Sequence, residues 1–81
     1  MLSVDEVATI LEGAGFEVLR DKISVNDDAM LVPVRREDLR RGDVYFCGSI
    51  FLTAEDGLSN LRQRAETVKR QFDMEKAKET A

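Results

Sequence analysis

The chain has 81 residues, of which 43% are hydrophobic and 35% charged, with a net charge of −4, one cysteine and no histidine. That length supports a single small domain with a thin core; the composition is too apolar for disorder, and no apolar run nears the roughly 20 residues of a membrane span. The lone Cys47 excludes an internal disulfide and favours a reducing, cytoplasmic setting, while the lack of histidine removes the commonest general base and metal ligand together.

Charge is unevenly distributed. Residues 1 to 34 hold seven acids and two bases, and residues 35 to 81 hold ten bases and nine acids. The halves differ in sign, which favours contact between them or two unlike faces, and gives little support to bulk nucleic-acid binding. At the N-terminus, acids stand where a secretory signal needs basic residues.

Ser3 and Glu6 have the spacing of a capping box, with Leu2 and Val7 as the staple around it, so a helix is expected to start at Val4. Val4, Val7, Ala8 and Leu11 then form one apolar face, and Gly13 and Gly15 supply the stop. Beyond it the period shortens to two. Phe16 and Val18, then Ile23 and Val25, suit two half-buried strands separated by a turn at Arg20, Asp21 and Lys22. Asn26, Asp27 and Asp28 form a second turn, and Met30 to Val34 a third strand, placed at an edge or with Pro33 unpaired because proline cannot donate to a ladder.

The segment RREDLRRGD breaks the apolar pattern and reads as a connector, with one helical turn at Glu37, Asp38 and Leu39 ending at Gly42. Val44 to Thr53 has strong strand propensity; Cys47 and Gly48 either turn a short hairpin there or bulge one long strand. The clearest helix follows. Leu58, Leu61, Ala65, Val68 and Phe72 make one stripe with a basic rim of Arg62, Arg64, Lys69 and Arg70, capped from Thr53 and Asp56 or from Ser59, and ending between Phe72 and Lys78. Residues 74–81 read as a frayed tail. Taken as a heptad, the stripe sets Arg64 against Lys69 of a second chain and lasts about two heptads, which disfavours a parallel coiled coil.

These elements give one α+β domain over residues 1–81: an antiparallel sheet of three to five short strands with an N-terminal and a longer C-terminal helix packed on one face. The expected core is Val7, Leu11, Phe16, Val18, Leu31, Val44, Phe46, Ile50, Leu52, Leu61, Val68 and Phe72.

No catalytic, metal or cofactor motif stands in the chain. Asp27 and Asp28 lack the further acids of a calcium loop, the G-x-G at Gly13 and Gly15 follows a helix rather than a strand, and Cys47, among apolar neighbours with no histidine to activate it, reads as a buried structural thiol. Two cationic clusters remain, Arg35, Arg36, Arg40 and Arg41 in the connector and Arg62, Arg64, Lys69 and Arg70 on the last helix. Arginine forks suit carboxylate or phosphate, but Arg62 with Glu66, and Glu66 with Arg70, are also spaced to neutralise one another. The acids of the first helix, Asp5, Glu6 and Glu12, are the expected neighbours of the rim.

The favoured function is a small acidic, non-enzymatic protein-binding module, a regulator or inhibitor, that binds a protein partner or a second copy through an arginine-rich face and an exposed sheet edge near Pro33. One alternative is a nucleic-acid-associated factor contacting phosphates through the two clusters, although no aromatics are interleaved with them for base stacking. The other is an enzyme using carboxylates or Cys47. Neither cofactor nor membrane is implied.

Overall fold

Ser3 opens the first helix as its spacing requires: Glu6 N–H donates to Ser3 Oγ at 3.1 Å, and α1 runs Val4–Gly13 with Val7, Ala8 and Leu11 buried. Gly15, at φ 101°, closes it. Phe16 N–H reaches the Leu11 carbonyl and Gly15 N–H the Glu12 carbonyl, both at 3.1 Å, the two bonds of a Schellman stop, and Phe16 is delivered into the core. The computed structural model describes residues 2–80, with side chains placed as far as residue 78.

Four antiparallel strands follow: β1 Glu17–Val18, β2 Ser24–Val25, β3 Ala29–Arg41 and β4 Val44–Thr53, before α2 Leu58–Thr80. The expected turn at Arg20–Lys22 is a short 3-10 segment, yet β1 and β2 do not pair with each other. Both lie on the same edge of β3, Val18 opposite Val34 and Ser24 opposite Leu31, as two ends of one interrupted strand. β4 takes the other edge of β3.

β3 is therefore central, and Pro33 does not mark a sheet edge. Pro33 accepts from Leu19 N–H at 3.1 Å, and since N–H and C=O of one antiparallel residue point the same way, its missing donor faces the 3-10 interruption, where no ladder bond is lost. Of the two placements expected for this proline, the unpaired position is the one adopted.

The connector is strand. β3 continues through the charged run to Arg41, and no helical turn forms at Glu37–Leu39. Register passes from Arg35 opposite Cys47 to Arg40 opposite Tyr45, so Arg36–Leu39 bulge out against the single residue Phe46, and the bulge turns Leu39 into the core. Gly42, at φ 62°, then occupies the first position of a two-residue hairpin loop with Asp43, where a II′ turn needs positive φ. Cys47 and Gly48 neither turn nor bulge; Gly48 pairs regularly with Val34 inside one ten-residue strand.

One core lies between the sheet and both helices: Met30, Val32, Val34, Ile50 and Leu52 from the sheet, Val7 and Leu11 from α1, and Leu61, Ala65, Val68 and Phe72 from α2. Three expected core residues are exposed instead, Leu31 at 43%, Val44 at 70% and Phe46 at 39%. The alternation of β3 buries Met30, Val32 and Val34 and turns Leu31 outward; Val44 sits at the mouth of the hairpin.

The start of α2 is organised by Asp56, whose carboxylate accepts from Thr53 N–H at 2.8 Å, Asn60 Nδ2 at 2.9 Å and Arg64 Nη1 at 2.8 Å. The bulge holds its far half. Arg36 binds Asp38 and Asp73, each at 2.7 Å, and Lys76 binds Asp38 at 2.9 Å, so α2 stays helical to Thr80, past its expected end; of the tail expected to fray, Ala81 lies outside the described residues.

Hydrogen bonds from Arg36, then Lys76, hold the Asp38 carboxyl down at about 2 from its usual 3.8, and hydrogen bonds from Thr53, Arg20 and Arg35 lower Asp56, Glu12 and Glu17 in the same direction. A folded-state pKa below the unfolded one adds stability that is present above the unfolded value and lost as pH falls through the folded one. Urea midpoints should therefore fall as pH drops from about 4 toward 2. Asp38→Asn should lower the neutral-pH midpoint and flatten that acid slope; an unchanged slope would contradict the network.

Candidate protein-binding surface

The hydrogen-bonding direction of each β4 residue follows from two contacts on the far side of β3. Asn26 N–H donates to the Ala29 carbonyl at 2.8 Å and Leu19 N–H to Pro33, so Ala29, Leu31, Pro33 and Arg35 present their backbone groups to β1 and β2. Met30, Val32 and Val34 then face β4 and bond to Leu52, Ile50 and Gly48. Cys47, Ser49 and Phe51 are left pointing their N–H and C=O groups away from the sheet.

Two side-chain contacts agree with that direction. Arg64 donates to the Phe51 carbonyl from outside the sheet, and the Asp56 carboxylate takes the Thr53 amide. Among the described residues, the N–H and C=O of Cys47 and Ser49 and the N–H of Phe51 have no partner. The strand that carries them, VYFCGSIFLT, holds no charged residue and no proline. Natural sheets commonly blunt such edges with lysine, proline or bulges, and here the bulge lies on β3 instead.

The sheet face opposite the helices is also uncovered. Leu31 and Phe51, the latter 53% exposed, oppose each other across β3 and β4, beside Pro33 and Ser49. Toward the hairpin lies a polar cluster: the Arg35 guanidinium stacks 4.0 Å from the Tyr45 ring centre and binds Glu17 at 2.7 Å, Arg40 lies 5.6 Å from the same ring, and Tyr45 donates its hydroxyl hydrogen to Glu37 at 3.0 Å. That bond to a carboxylate raises the Tyr45 pKa. Cys47 is exposed rather than buried, its thiol 3.6 Å from the Tyr45 carbonyl, because odd-numbered β4 side chains project to this open face.

The eight expected contact residues are not brought together as two clusters. Strand alternation and the bulge separate Arg35 and Arg40, which flank Tyr45, from Arg36, which ties β3 to α2. Arg41 lines a shallow groove of about 200 Å³ with Leu39, Val44, Phe46 and Glu75. Arg64 is engaged by Asp56 and Phe51. Arg62, Lys69 and Arg70 remain exposed on α2 with no ion pair among the described residues; Arg62, Glu66 and Arg70 do not neutralise one another, and the α1 acids Asp5 and Glu12 pair with Arg20 instead.

Among the described residues, no three His, Cys, Asp or Glu side chains stand close enough to hold a metal ion, and no helix is long and apolar enough to cross a membrane. The open sheet edge lies along β4 and not near Pro33, where it was expected. Its signal was the ten-residue run without charge or proline, which reads equally well as an interior strand until the pairing is known. Comparison of the chain with protein-family models, with curated proteins and with solved structures finds no match.

Proposed function

We propose that this chain is a non-enzymatic protein-binding module of the cytoplasm that receives an extended segment along the outer edge of β4 and against the uncovered face beside it. The carrying observation is the outer edge itself: ten residues without charge or proline, with unpartnered backbone groups at Cys47, Ser49 and Phe51. Main-chain pairing supplies affinity in such docking, and Leu31 and Phe51 supply apolar contact on the same side. A chain this small that performs no chemistry acts by occupying a surface, the mode of a regulator or inhibitor.

The arginine contribution narrows to Arg35 and Arg40 around Tyr45. Both are already held by carboxylates of the chain, Arg35 by Glu17 and Arg40 by Glu37 and Asp43, so an acidic group on the docked segment would join that network rather than meet free cations. Phosphate contact through Arg62, Lys69 and Arg70 is the competing reading, since these cations have no ion pair among the described residues. A photo-crosslinking residue placed at Phe51, and separately at Arg70, separates the two in native lysate. Protein adducts from the Phe51 position are expected; nucleic-acid adducts from Arg70 that vanish with added salt, with none from Phe51, would overturn the proposal.

A further inference from the structure

The free groups on β4 are arranged almost symmetrically about Ser49: its own N–H and C=O at the centre, the carbonyl and amide of Cys47 on one side and the amide of Phe51 on the other. We infer that the occupant of this edge is a second copy of the chain, its β4 antiparallel to the first about a two-fold axis at Ser49. This rests on the reading of β4 as a docking edge. In that register Ser49 opposes Ser49 of the second copy and Cys47 opposes Phe51 of the second copy, Arg64 giving up the Phe51 carbonyl to the incoming Cys47 amide as the strands pair. With no charge between Val44 and Thr53, self-pairing sets no like charges against each other within the strands.

The position of α2 fits the same axis. α2 packs on both β3 and β4, which places its axis about one strand spacing, ~4.8 Å, from the two-fold. Two copies then bring their α2 helices to about 10 Å apart, an ordinary helix-packing distance. α2 runs antiparallel to β4, with Arg64 at Phe51 and Phe72 against Gly48 and Phe46. Its flank on the β4 side follows the i, i+3, i+7 stripe of Arg64, Thr67, Gln71, Met74 and Lys78, and Met74, Gln71 and Glu75 border a groove with Phe46.

That flank is the less charged one; the other carries Arg62, Glu66, Lys69, Arg70 and Asp73. Antiparallel approach directs Arg64 toward Glu75 of the second copy and covers Met74, which is 63% exposed, together with Phe46. The pair has one continuous sheet six strands wide, with both open faces merged and Phe51 of each copy beside Cys47 of the other.

Sedimentation equilibrium of the purified full chain should give twice the 9.1 kDa chain mass, dissociating on dilution. Ser49→Pro removes an amide that bonds nothing inside the fold and should weaken the dimer at least about tenfold with the far-UV spectrum intact. Ser49→Lys, which sets two cations face to face across the axis, should do the same and serves where the proline variant fails to fold. The double variant Cys47→Ser with Ser49→Cys should form a covalent dimer on mild oxidation. Wild-type Cys47 should not, because the two copies of Cys47 stand roughly 14 Å apart in this register, beyond disulfide reach.

A wild-type chain that stays monomeric, folded Ser49 variants as dimeric as wild type, or cross-linking through Cys47 in preference to the double variant would each overturn the Ser49 pairing. Protein adducts from the Phe51 probe in lysate, heavier than a dimer of this chain, would then still support the docking edge. A dimer with no such adducts separates the two results in the opposite sense.

Discussion

Replacing Phe72 with alanine should destabilise the domain by about 3–5 kcal/mol, lowering the thermal midpoint by roughly 15 °C or more. Phe72 is fully buried and is the point where all layers meet: its ring lies 5.6 Å from Phe16, which α1 delivers through its stop, and 5.4 Å edge-on from Phe46 of β4. A domain of this size has a total stability of about 4–12 kcal/mol, so the loss takes a large share of it. Calorimetry or urea unfolding of the variant reads the effect; a loss below about 1 kcal/mol would mean that the junction collapses without a cavity.

Gly48 should distinguish two substitutions sharply. A β-carbon built there meets Phe72 Cζ at 3.4 Å and Val68 Cγ1 at 3.5 Å, ordinary contact distances, and the backbone is not in the left-handed region. Gly48→Ala should therefore be neutral or stabilising by a few tenths of a kcal/mol, through the reduced freedom of the unfolded chain. Gly48→Leu has to displace Phe72 or Val68 and should destabilise by about 1–3 kcal/mol. The same urea titrations measure both. Equal effects from the two variants would contradict the close approach of Phe72 to β4.

These two positions show which parts of the fold the chain advertises. Helix stops and stripes depend on neighbours within a turn or two, so Ser3 with Glu6, Gly15, and the run Leu61, Ala65, Val68, Phe72 are legible before any tertiary contact is known. The phase of β3 is not legible, because Met30, Leu31, Val32 and Val34 are all apolar and no polar residue marks the outward side. Packing against α1 and α2 chooses Met30, Val32 and Val34.

The charged run after Pro33 looks like a connector for a similar reason. What makes it strand is distant: Glu17 for Arg35, Tyr45 stacked under it, Asp73 for Arg36 and Lys76 for Asp38. Gly48 belongs to the same class, since its reason is a ring 24 positions further along, which local pattern cannot reveal. The arginines were visible as residues, but not their partners. Once partners are assigned, most of the expected cationic face becomes internal bracing, and the proposed contact surface is the uncharged strand beside it.

Amide hydrogen exchange tests, residue by residue, the proposed docking of a protein on the outer edge of β4. In the dilute chain the amides of Cys47, Ser49 and Phe51 should exchange fast, while Gly48, Ile50 and Leu52, bonded to β3, exchange slowly. On complex formation the three outward amides should slow by at least about tenfold, giving an unbroken run of protection from Cys47 to Leu52. Outward amides that stay fast in a complex whose protection appears around Arg62, Lys69 and Arg70 would contradict docking at β4.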